Sequence, residues 1–236
     1  MVARTARQTK AGPAPGARSW VRGATRVLLV VLVLPPLLFA LYRVAPPPLT
    51  PLMVIRWVQG HGIDYRWIPR TQMAPALARA AIAAEDNLFC RHWGFDVAAL
   101  REQMTSALAG GRPRGASTIS MQTAKNLLLW PGRDPLRKLL EAWLTPQLEL
   151  LVGKGRILEI YLNIVEFGPG VYGVEAAAQH WFGKPAARLS TEEAARLVAI
   201  LPAPLVREPR RATTSARRIQ RRIGQLGPLL DCADAT

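Results

Sequence analysis

Apolar and polar positions divide the chain into one uninterrupted apolar run near its start and a longer part in which the two kinds alternate. The run, Val27–Tyr42, has sixteen residues without a charge and lies between Arg26 and Arg43. As a helix it would span roughly 24 Å, and arginine side chains at its ends can extend it toward the roughly 30 Å of a bilayer core. Membrane helices tolerate internal prolines such as Pro35. The pattern therefore predicts one N-terminal transmembrane helix, over 27–43.

The segments on either side of this run differ from it in composition. Residues 1–26 carry six basic residues and no acidic one, so the positive-inside rule predicts a basic cytoplasmic tail. Residues 44–52 contain A-P-P-P-L-T-P, which is typical of a stiff, extended linker. The remainder, 53–230, is long enough for one domain of ordinary size. A cleaved signal peptide is the competing interpretation of the N-terminus, but the apolar run is long and no clear A-x-A cleavage site follows it.

After the linker, apolar positions recur mostly at the spacing of an amphipathic helix. Helices are predicted over Ala76–Glu85, Pro135–Leu144, Lys154–Val165, Gly173–Phe182 and Arg217–Leu230, with one more capped by Ser190 and Glu193 and ending before Pro202. Pro146 is expected to end or kink the helix that begins at Pro135. Strand patterns are weak, and Met53–Val58 is the best candidate for a strand. The outer domain is therefore predicted to be mainly α.

The formal net charge of +15 narrows the choice of partners. Six of these charges belong to the tail, which leaves +9 for the part expected to fold. Such an excess favours an anionic partner: nucleic acid, a phosphorylated small molecule or an anionic membrane surface. The three histidines lie too far apart to indicate a local metal site, and no D-x-D pair indicates a dedicated one.

Two cysteines, Cys90 and Cys232, occur without C-x-x-C or zinc-ligand spacing. A disulfide between them would need a compartment outside the cytoplasm and a close approach that nothing in the sequence indicates. We therefore expect the two thiols to be unpaired, and Cys90 to be a bystander in the chemistry.

The segment Ala84–Asp96 reads A-E-D-N-L-F-C-R-H-W-G-F-D and begins with two adjacent acids, Glu85 and Asp86, at the end of an apolar helix. Phe89 and His92 follow at the +4 and +7 positions from the first acid. A carboxylate in such a place is poorly solvated. It is therefore either paired in a structural network or tuned for proton transfer, and the segment alone leaves both open.

A second polar cluster, Gly115–Asn126, reads G-A-S-T-I-S-M-Q-T-A-K-N. Its glycine-led turn presents Ser117 and Thr118, and Gln122 and Lys125 follow on one face of a helix. A hydroxyl, an amide and a cation on one face could hold a phosphate or a sugar. The segment lacks the G-K-[ST] end of a Walker loop, and a capped surface helix is the simpler alternative.

A third cluster is basic and follows directly. Arg133 precedes Arg137, Lys138 and Glu141, of which Arg137 and Glu141 form an i,i+4 pair. In isolation this pair predicts a surface ion pair worth well under about 1 kcal/mol.

Together the clusters resemble the peptidoglycan glycosyltransferases of family 51, and among them the monofunctional biosynthetic transglycosylases. The resemblance extends from about Ile68 to Pro204. Besides the first two clusters it includes R-K-L-L-E, I-L-E-I-Y-L-N-I-V-E-F-G-P-G-V-Y-G-V-E-A-A-A, F-G-K and L-S-T-E-E-A-A-R-L-V-A-I-L-P-A-P. These motifs, in family order and at family-like spacing, make the match specific. The chain ends where bifunctional relatives would begin a transpeptidase domain, so the single-activity branch is expected.

The resemblance implies a lysozyme-like helical lobe, a smaller membrane-associated lobe and the polymerisation of lipid II into β-1,4 glycan strands. It places the catalytic base on Glu85 and a second active-site carboxylate on Glu141, for which we favour orientation of Arg137 over assistance to the leaving group. It implies a substrate-binding set formed by Asp86, Phe89, His92, Ser117, Thr118, Gln122, Lys125, Asn126, Arg133 and Arg137. Of these, Phe89 is expected to pack and His92 to hydrogen-bond near the base.

The chain departs from the family pattern at three positions of the second cluster. Ala116 stands where the family usually has a second glycine, Ser120 where threonine is common, and Met121 where the first of two glutamines is usual. These departures bear on fine substrate contacts, and none removes a charged group from the implied site.

The resemblance also implies partners and a location. The partners would be lipid II, the growing lipid-linked glycan, the membrane, and cell-wall synthesis or division proteins, with no nucleic acid. No cofactor and no protein-bound metal are expected, although a divalent cation (Mg²⁺ or Mn²⁺) could bridge the pyrophosphate. The expected location is the inner (cytoplasmic) membrane, with a cytoplasmic N-terminus and a periplasmic or otherwise extracytoplasmic catalytic domain.

Two other classes remain as alternatives. A membrane-anchored muramidase or lytic transglycosylase would use the same pair of acids, but neutral glycan would not need the cationic set. A basic binding protein is the second, although the outer part lacks the interleaved basic and aromatic residues of a nucleic-acid platform.

Overall fold

A computed structural model describes residues 15–111, 115–132 and 134–234. Its helices are α1 (Pro15–Tyr42), α2 (Pro51–Val58), α3 (Pro75–Glu85), α4 (Val97–Leu108), α5 (Ile119–Leu128), α6 (Pro135–Val152), α7 (Lys154–Ile164), α8 (Gly173–Phe182), α9 (Thr191–Val198), α10 (Thr213–Leu226) and α11 (Asp231–Asp234). Short 3₁₀ turns lie at Arg70–Gln72, Ala186–Arg188, Pro209–Arg211 and Gly227–Leu230. The described part of the chain is thus mainly α, as predicted.

The small sheet joins two distant parts of the chain. It contains β1 (Asp64–Tyr65), β2 (Glu166–Gly168) and β3 (Val171–Tyr172) in the order β1-β3-β2. β1 pairs with β3 in parallel and β2 pairs with β3 antiparallel. The core lies around α7, whose Ile157, Ile160 and Tyr161 are fully buried.

The predicted apolar anchor is part of a longer helix. α1 begins at Pro15, within the predicted tail, and continues through the two prolines to Tyr42. Its segment Arg22–Tyr42 has a mean hydropathy of 2.3 and is long and apolar enough to cross a membrane. Phe39 and Tyr42, near its end, are buried, and the helix packs against α6. Most of the apolar side chains before them remain exposed.

Two predictions of local structure were wrong. Met53–Val58 is helical and belongs to α2, which Thr50 caps by accepting the Met53 N–H at 3.4 Å and which Pro51 opens at its first position. The strand prediction failed because a short apolar segment is compatible with either a strand or a helix. The helix predicted over Pro135–Leu144 is longer than expected, since α6 continues through Pro146 to Val152 with buried side chains on both sides of the proline. Of the two effects expected of Pro146, the ending of the helix does not occur.

Other helices begin or end at the residues that their capping and terminating sequences predicted. α3 and α8 end where predicted, and Gly183 follows α8 in the left-handed region at φ +67°. Asp134 caps α6 by accepting the Arg137 N–H at 2.8 Å. The capping box of Ser190 and Glu193 opens α9. Hydrogen bonds from Ile119 and Gln122 to Asp86 and Glu85 join the start of α5 to the end of α3. α6 and α7 pack on α5, and α9 and α10 pack on α3.

Gly173, which opens α8, has to be a glycine. Its φ is +79°, and a Cβ there would lie 2.3 Å from the Asn163 carbonyl oxygen. We expect Gly173→Ala to lower the free energy of unfolding by at least about 2 kcal/mol, because both the backbone conformation and the contact become unfavourable. Gly224→Ala is the matched control, since its Cβ would meet nothing within 4 Å. It should raise stability by up to about 1 kcal/mol. Urea denaturation measures both, and a neutral Gly173→Ala would contradict the packing at α8.

Candidate active site

Glu85 is the last residue of α3 and has one direct side-chain donor in the described structure. Its Oε2 accepts a hydrogen bond from Gln122 Nε2 at 2.9 Å, and the Tyr161 hydroxyl donates to the other end of that amide at 3.4 Å. Burial raises the pKa of the Glu85 carboxyl, and the neighbouring Asp86 charge adds to the rise. The Gln122 hydrogen bond and the Lys125 charge oppose it. Glu85 is therefore a carboxyl that holds a proton more readily than an ordinary glutamate.

Asp86 fastens the start of α5 to the end of α3. Its Oδ2 accepts the Ile119 N–H at 2.9 Å, and its Oδ1 lies 2.8 Å from His92 Nε2. The side chains of Asp86 and His92 are almost fully buried. Both Asp86 oxygens are thus engaged inside the protein, and the Ile119 hydrogen bond ties the start of α5 beside Glu85. The contact of Asp86 and His92 with a substrate remains a prediction.

Thr118 and Phe89 also have internal contacts. Thr118 Oγ1 donates to the Gly94 carbonyl at 2.6 Å and accepts the Met121 N–H at 3.1 Å, which caps α5. The Phe89 ring is fully buried, with the Lys154 ammonium 4.4 Å from its centroid. Packing of Phe89 agrees with the expectation from the sequence. The contact of these two residues with a substrate remains a prediction.

The Arg137–Glu141 pair is not on the surface, which corrects the prediction made from its spacing. Glu141 is 2 % exposed and accepts from Arg137 Nη1 at 2.6 Å and from Lys138 Nζ at 2.6 Å. Lys138 Nζ also donates to Ser117 Oγ at 2.9 Å. Because both Glu141 oxygens face cations, this carboxylate orients the basic cluster, and Lys138 joins a site to which the sequence had not assigned it.

Lys125 interacts electrostatically with both carboxylates, Glu85 and Glu141. Burial lowers the pKa of its ammonium, and the neighbouring charges of Arg137 and Lys138 lower it further. The carboxylates of Glu141 and Glu85 act in the opposite direction and raise it. Three cations around one carboxylate leave an excess of positive charge. The structure therefore provides a place where a multiply charged anion would be stabilised.

The positions of the remaining predicted site residues are as follows. Asn126 follows Lys125 on α5 and is buried. Arg133 lies outside the described residues. The departures at Ser120 and Met121 concern interior positions, since the Ser120 hydroxyl donates to Glu149 at 2.5 Å and Met121 is buried. Ala116 does line the site.

Two clefts meet at Glu85. The α10 cleft, of about 290 Å³, lies between Glu85 and Arg207, Ser215 and Arg218 of the C-terminal region. The α5 cleft, of about 210 Å³, lies between Glu85 and the turn 115–118. Glu85 and Arg222 line both. Reactants could thus approach the carboxyl from two sides.

Arg218 and Arg222 are functional candidates that the sequence interpretation missed. It had treated the arginines after Pro204 as headgroup contacts or as a solvated face. The i,i+4 spacing of these two could have indicated a shared face, but not that this face borders Glu85. That depends on the packing of α10 against α3, which no local pattern shows.

The expectation of unpaired cysteines was wrong. Cys90 and Cys232 form a disulfide whose Cα atoms lie 5.6 Å apart, across 142 residues of sequence. The pairing brings the C-terminal end of the chain beside the segment that follows Glu85. Disulfides persist in oxidising compartments, which agrees with a catalytic domain outside the cytoplasm.

Comparison with known proteins connects this site to one family. A family model described as transglycosylase matches residues 53–226. A biosynthetic peptidoglycan transglycosylase of Caulobacter vibrioides is 53% identical over 189 residues, which are 80% of this chain and 82% of the relative. A protein of the same name from Rhodospirillum centenum is 51% identical over 177 residues, covering 75% and 77%. Another from Mesorhizobium japonicum is 43% identical over 223 residues, covering 92% and 94%.

Proposed function

The chain belongs to the transglycosylase family, whose model covers most of its length, and from that premise we propose that it polymerises lipid II into β-1,4 glycan strands. The donor is the glycan held on undecaprenyl pyrophosphate, and the acceptor is the 4-hydroxyl of the N-acetylglucosamine of lipid II. The observation that carries this proposal is the position of Glu85, a poorly solvated carboxyl with cations on its α5 side and clefts on two sides.

The first chemical requirement is a base. A sugar hydroxyl is a feeble nucleophile, so a carboxylate has to take its proton as the new bond forms. Glu85 has this role in the proposal. Displacing an α-linked pyrophosphate with that hydroxyl in one step gives the β-linked product by inversion. The raised pKa of Glu85 makes its ionised form a stronger base than an ordinary glutamate.

The second requirement is stabilisation of the leaving group. Pyrophosphate needs no acid to depart, but its growing negative charge needs cations. Lys125 and Arg137 supply them, and Arg133 joins them in the proposal. Glu141 holds Arg137 and Lys138 at 2.6 Å each and so orients the cations. Ser117, Gln122 and Asn126 would contact the sugar or phosphate.

The third requirement is access to a lipid-linked substrate. In the proposal α1 crosses the inner membrane with its basic tail in the cytoplasm, and the catalytic domain lies on the outer face. The exposed apolar side chains of α1 support this, as does the disulfide. Exposed Trp57 and Val58 of α2 and Trp130 after α5 would enter the bilayer interface.

Incubation of the purified protein with lipid II tests the proposal. Long glycan strands on a gel are the expected product, with undecaprenyl pyrophosphate released. Parallel reactions with preformed glycan identify the alternative, since a muramidase or lytic transglycosylase would shorten that polymer and leave lipid II unused. A chelator in the same assay measures whether a divalent cation accompanies the pyrophosphate.

The pH profile of kcat/KM should be narrower than ordinary glutamate and lysine pKa values allow. Because Glu85 has to be ionised and its pKa is raised, the acid limb should lie above pH about 4.3. Because Lys125 has to be charged and its pKa is lowered, the alkaline limb should lie below pH about 10.4. Lys125→Arg should move the alkaline limb upward and leave the acid limb in place. An acid limb at or below the ordinary glutamate value would argue against Glu85 as the base.

A further inference from the structure

One covalent bond and several polar contacts fasten the end of the chain beside the catalytic carboxyl. We call the segment 227–234 the C-terminal clamp. Its Cys232 is disulfide-bonded to Cys90, which lies five residues after Glu85. Arg91, the next residue, donates to the Pro228 carbonyl at 3.0 Å.

Two more arginines contact the clamp, one from α3 and one from the 3₁₀ turn that precedes it. Arg79 contacts both carboxylate oxygens of Asp234, at 3.0 and 3.1 Å. Arg70 donates to the Cys232 carbonyl at 3.0 Å. Exposed ion pairs such as Arg79–Asp234 contribute little on their own. The disulfide is therefore the strong attachment, because it alone removes the freedom of a long loop.

The helix that the clamp follows packs against α9 and α3, but its buried residues all lie in its first half. α10 has fourteen residues, of which Ala216 and Ile219 are buried, and no side chain caps its first turn. Its four arginines are exposed, and like charges on one short helix repel each other. The second half of α10 carries Arg222 and has no buried residue, since Ile223 and Leu226 are only partly buried. Its position therefore depends more than that of the first half on the attachment that follows it.

α10 carries two arginines that line the clefts at Glu85. Arg218 lines the α10 cleft, and Arg222 lines both clefts. Gly227 ends α10 and begins the clamp. The clamp therefore continues directly from the half of α10 that carries Arg222, and holding the clamp restrains that half beside Glu85.

We propose that the Cys90–Cys232 disulfide is a positioning element of the transferase reaction, which holds α10 so that Arg218 and Arg222 face the clefts at Glu85. This inference rests on the proposed function, since it assumes an anionic, pyrophosphate-bearing substrate in those clefts. The two thiols lose two protons and two electrons to an external disulfide, which becomes two thiols by exchange. The arginine side of the site is thus completed only where such an oxidant is present.

A double-mutant cycle on the full chain separates positioning from stability. The four proteins are the wild type, Arg222→Ala, the cysteine-free variant Cys90→Ala/Cys232→Ala, and the combination of all three changes. Assays run at a temperature at which circular dichroism shows the cysteine-free protein folded. We expect Arg222→Ala and the cysteine-free variant each to lower kcat/KM for lipid II by about 10-fold or more, mainly through KM. The combination should be little worse than either, because both changes remove the same contact.

Two results would overturn the positioning role: an unchanged kcat/KM in the cysteine-free variant, or losses that multiply in the combination. Arg217→Ala is the matched control, since Arg217 is on the same helix but lines neither cleft at Glu85. Its effect should be small in both backgrounds.

A readout without substrate keeps this test independent of the proposed function. Hydrogen exchange of residues 213–226 should be faster after reduction with dithiothreitol, while exchange in α7 stays unchanged. If the oxidised wild type made no glycan, the proposed function would fail while the exchange experiment still decided whether the disulfide holds α10. Equal exchange in both redox states would show that it does not.

Discussion

Glu85→Gln should abolish nearly all glycan synthesis while leaving the protein folded. The amide keeps the size of the side chain and can still contact Gln122, which donates to the carboxylate at 2.9 Å. It cannot accept a proton from the acceptor hydroxyl, and general-base catalysis contributes about 10²–10⁴-fold. The expected fall in kcat with lipid II is therefore at least 100-fold, with a smaller change in KM. Turnover like that of the wild type would sink the assignment of the base.

The stability of the same variant gives an independent check. A carboxyl whose pKa is raised by burial destabilises the fold once it ionises, and this penalty develops as the pH rises through its ordinary value toward its raised one. Replacing it with a neutral amide removes the penalty. Glu85→Gln should therefore melt at the same temperature as the wild type or higher at neutral pH. Glu102→Gln, an exposed change on α4, is the control that should alter neither activity nor melting.

Much of the helical frame follows from local signals. The N-caps Asp134 and Ser190 and the glycine after α8 fix helix ends because each satisfies or terminates backbone groups at one position. The strand predicted at Met53–Val58 failed because its apolar residues suit either kind of element. Its actual state depends on the cap at Thr50 and on packing against α5, and packing is not a property of the segment.

In the candidate site, too, some features follow from local sequence and others depend on tertiary packing. Residues that share one helix, such as Gln122 and Lys125, were predicted from spacing alone because helix geometry fixes their face. The burial of Glu141 could not be predicted, because an i,i+4 pair looks the same on the surface and in the interior. Arg222 and the Cys90–Cys232 bond depend on how the chain's end returns to α3, which only tertiary structure shows.

Lys125→Ala should weaken use of the lipid-linked donor far more than it affects folding. Lys125 is a partly buried cation that interacts with both Glu85 and Glu141, so its charge acts where water screens less than at the surface. Removing one preorganised group of this kind from a developing oxyanion lowers kcat by about 10²–10³-fold. Because burial lowers the pKa of the ammonium, its charged form is unfavourable in the free protein, and alanine should leave the melting temperature nearly unchanged.

A control substitution at another lysine tests whether the loss of rate is specific to the predicted contact with the pyrophosphate. Lys184→Ala removes a lysine that pairs with Glu193 at 2.7 Å, beyond α8 and outside both clefts, and it should leave the rate within about 2-fold because such pairs contribute little. Lys125→Arg keeps the charge and should recover part of the rate lost in Lys125→Ala. An unchanged rate in Lys125→Ala with the lipid donor would refute its role at the pyrophosphate. A rate lost together with the folded structure would instead assign Lys125 to the fold.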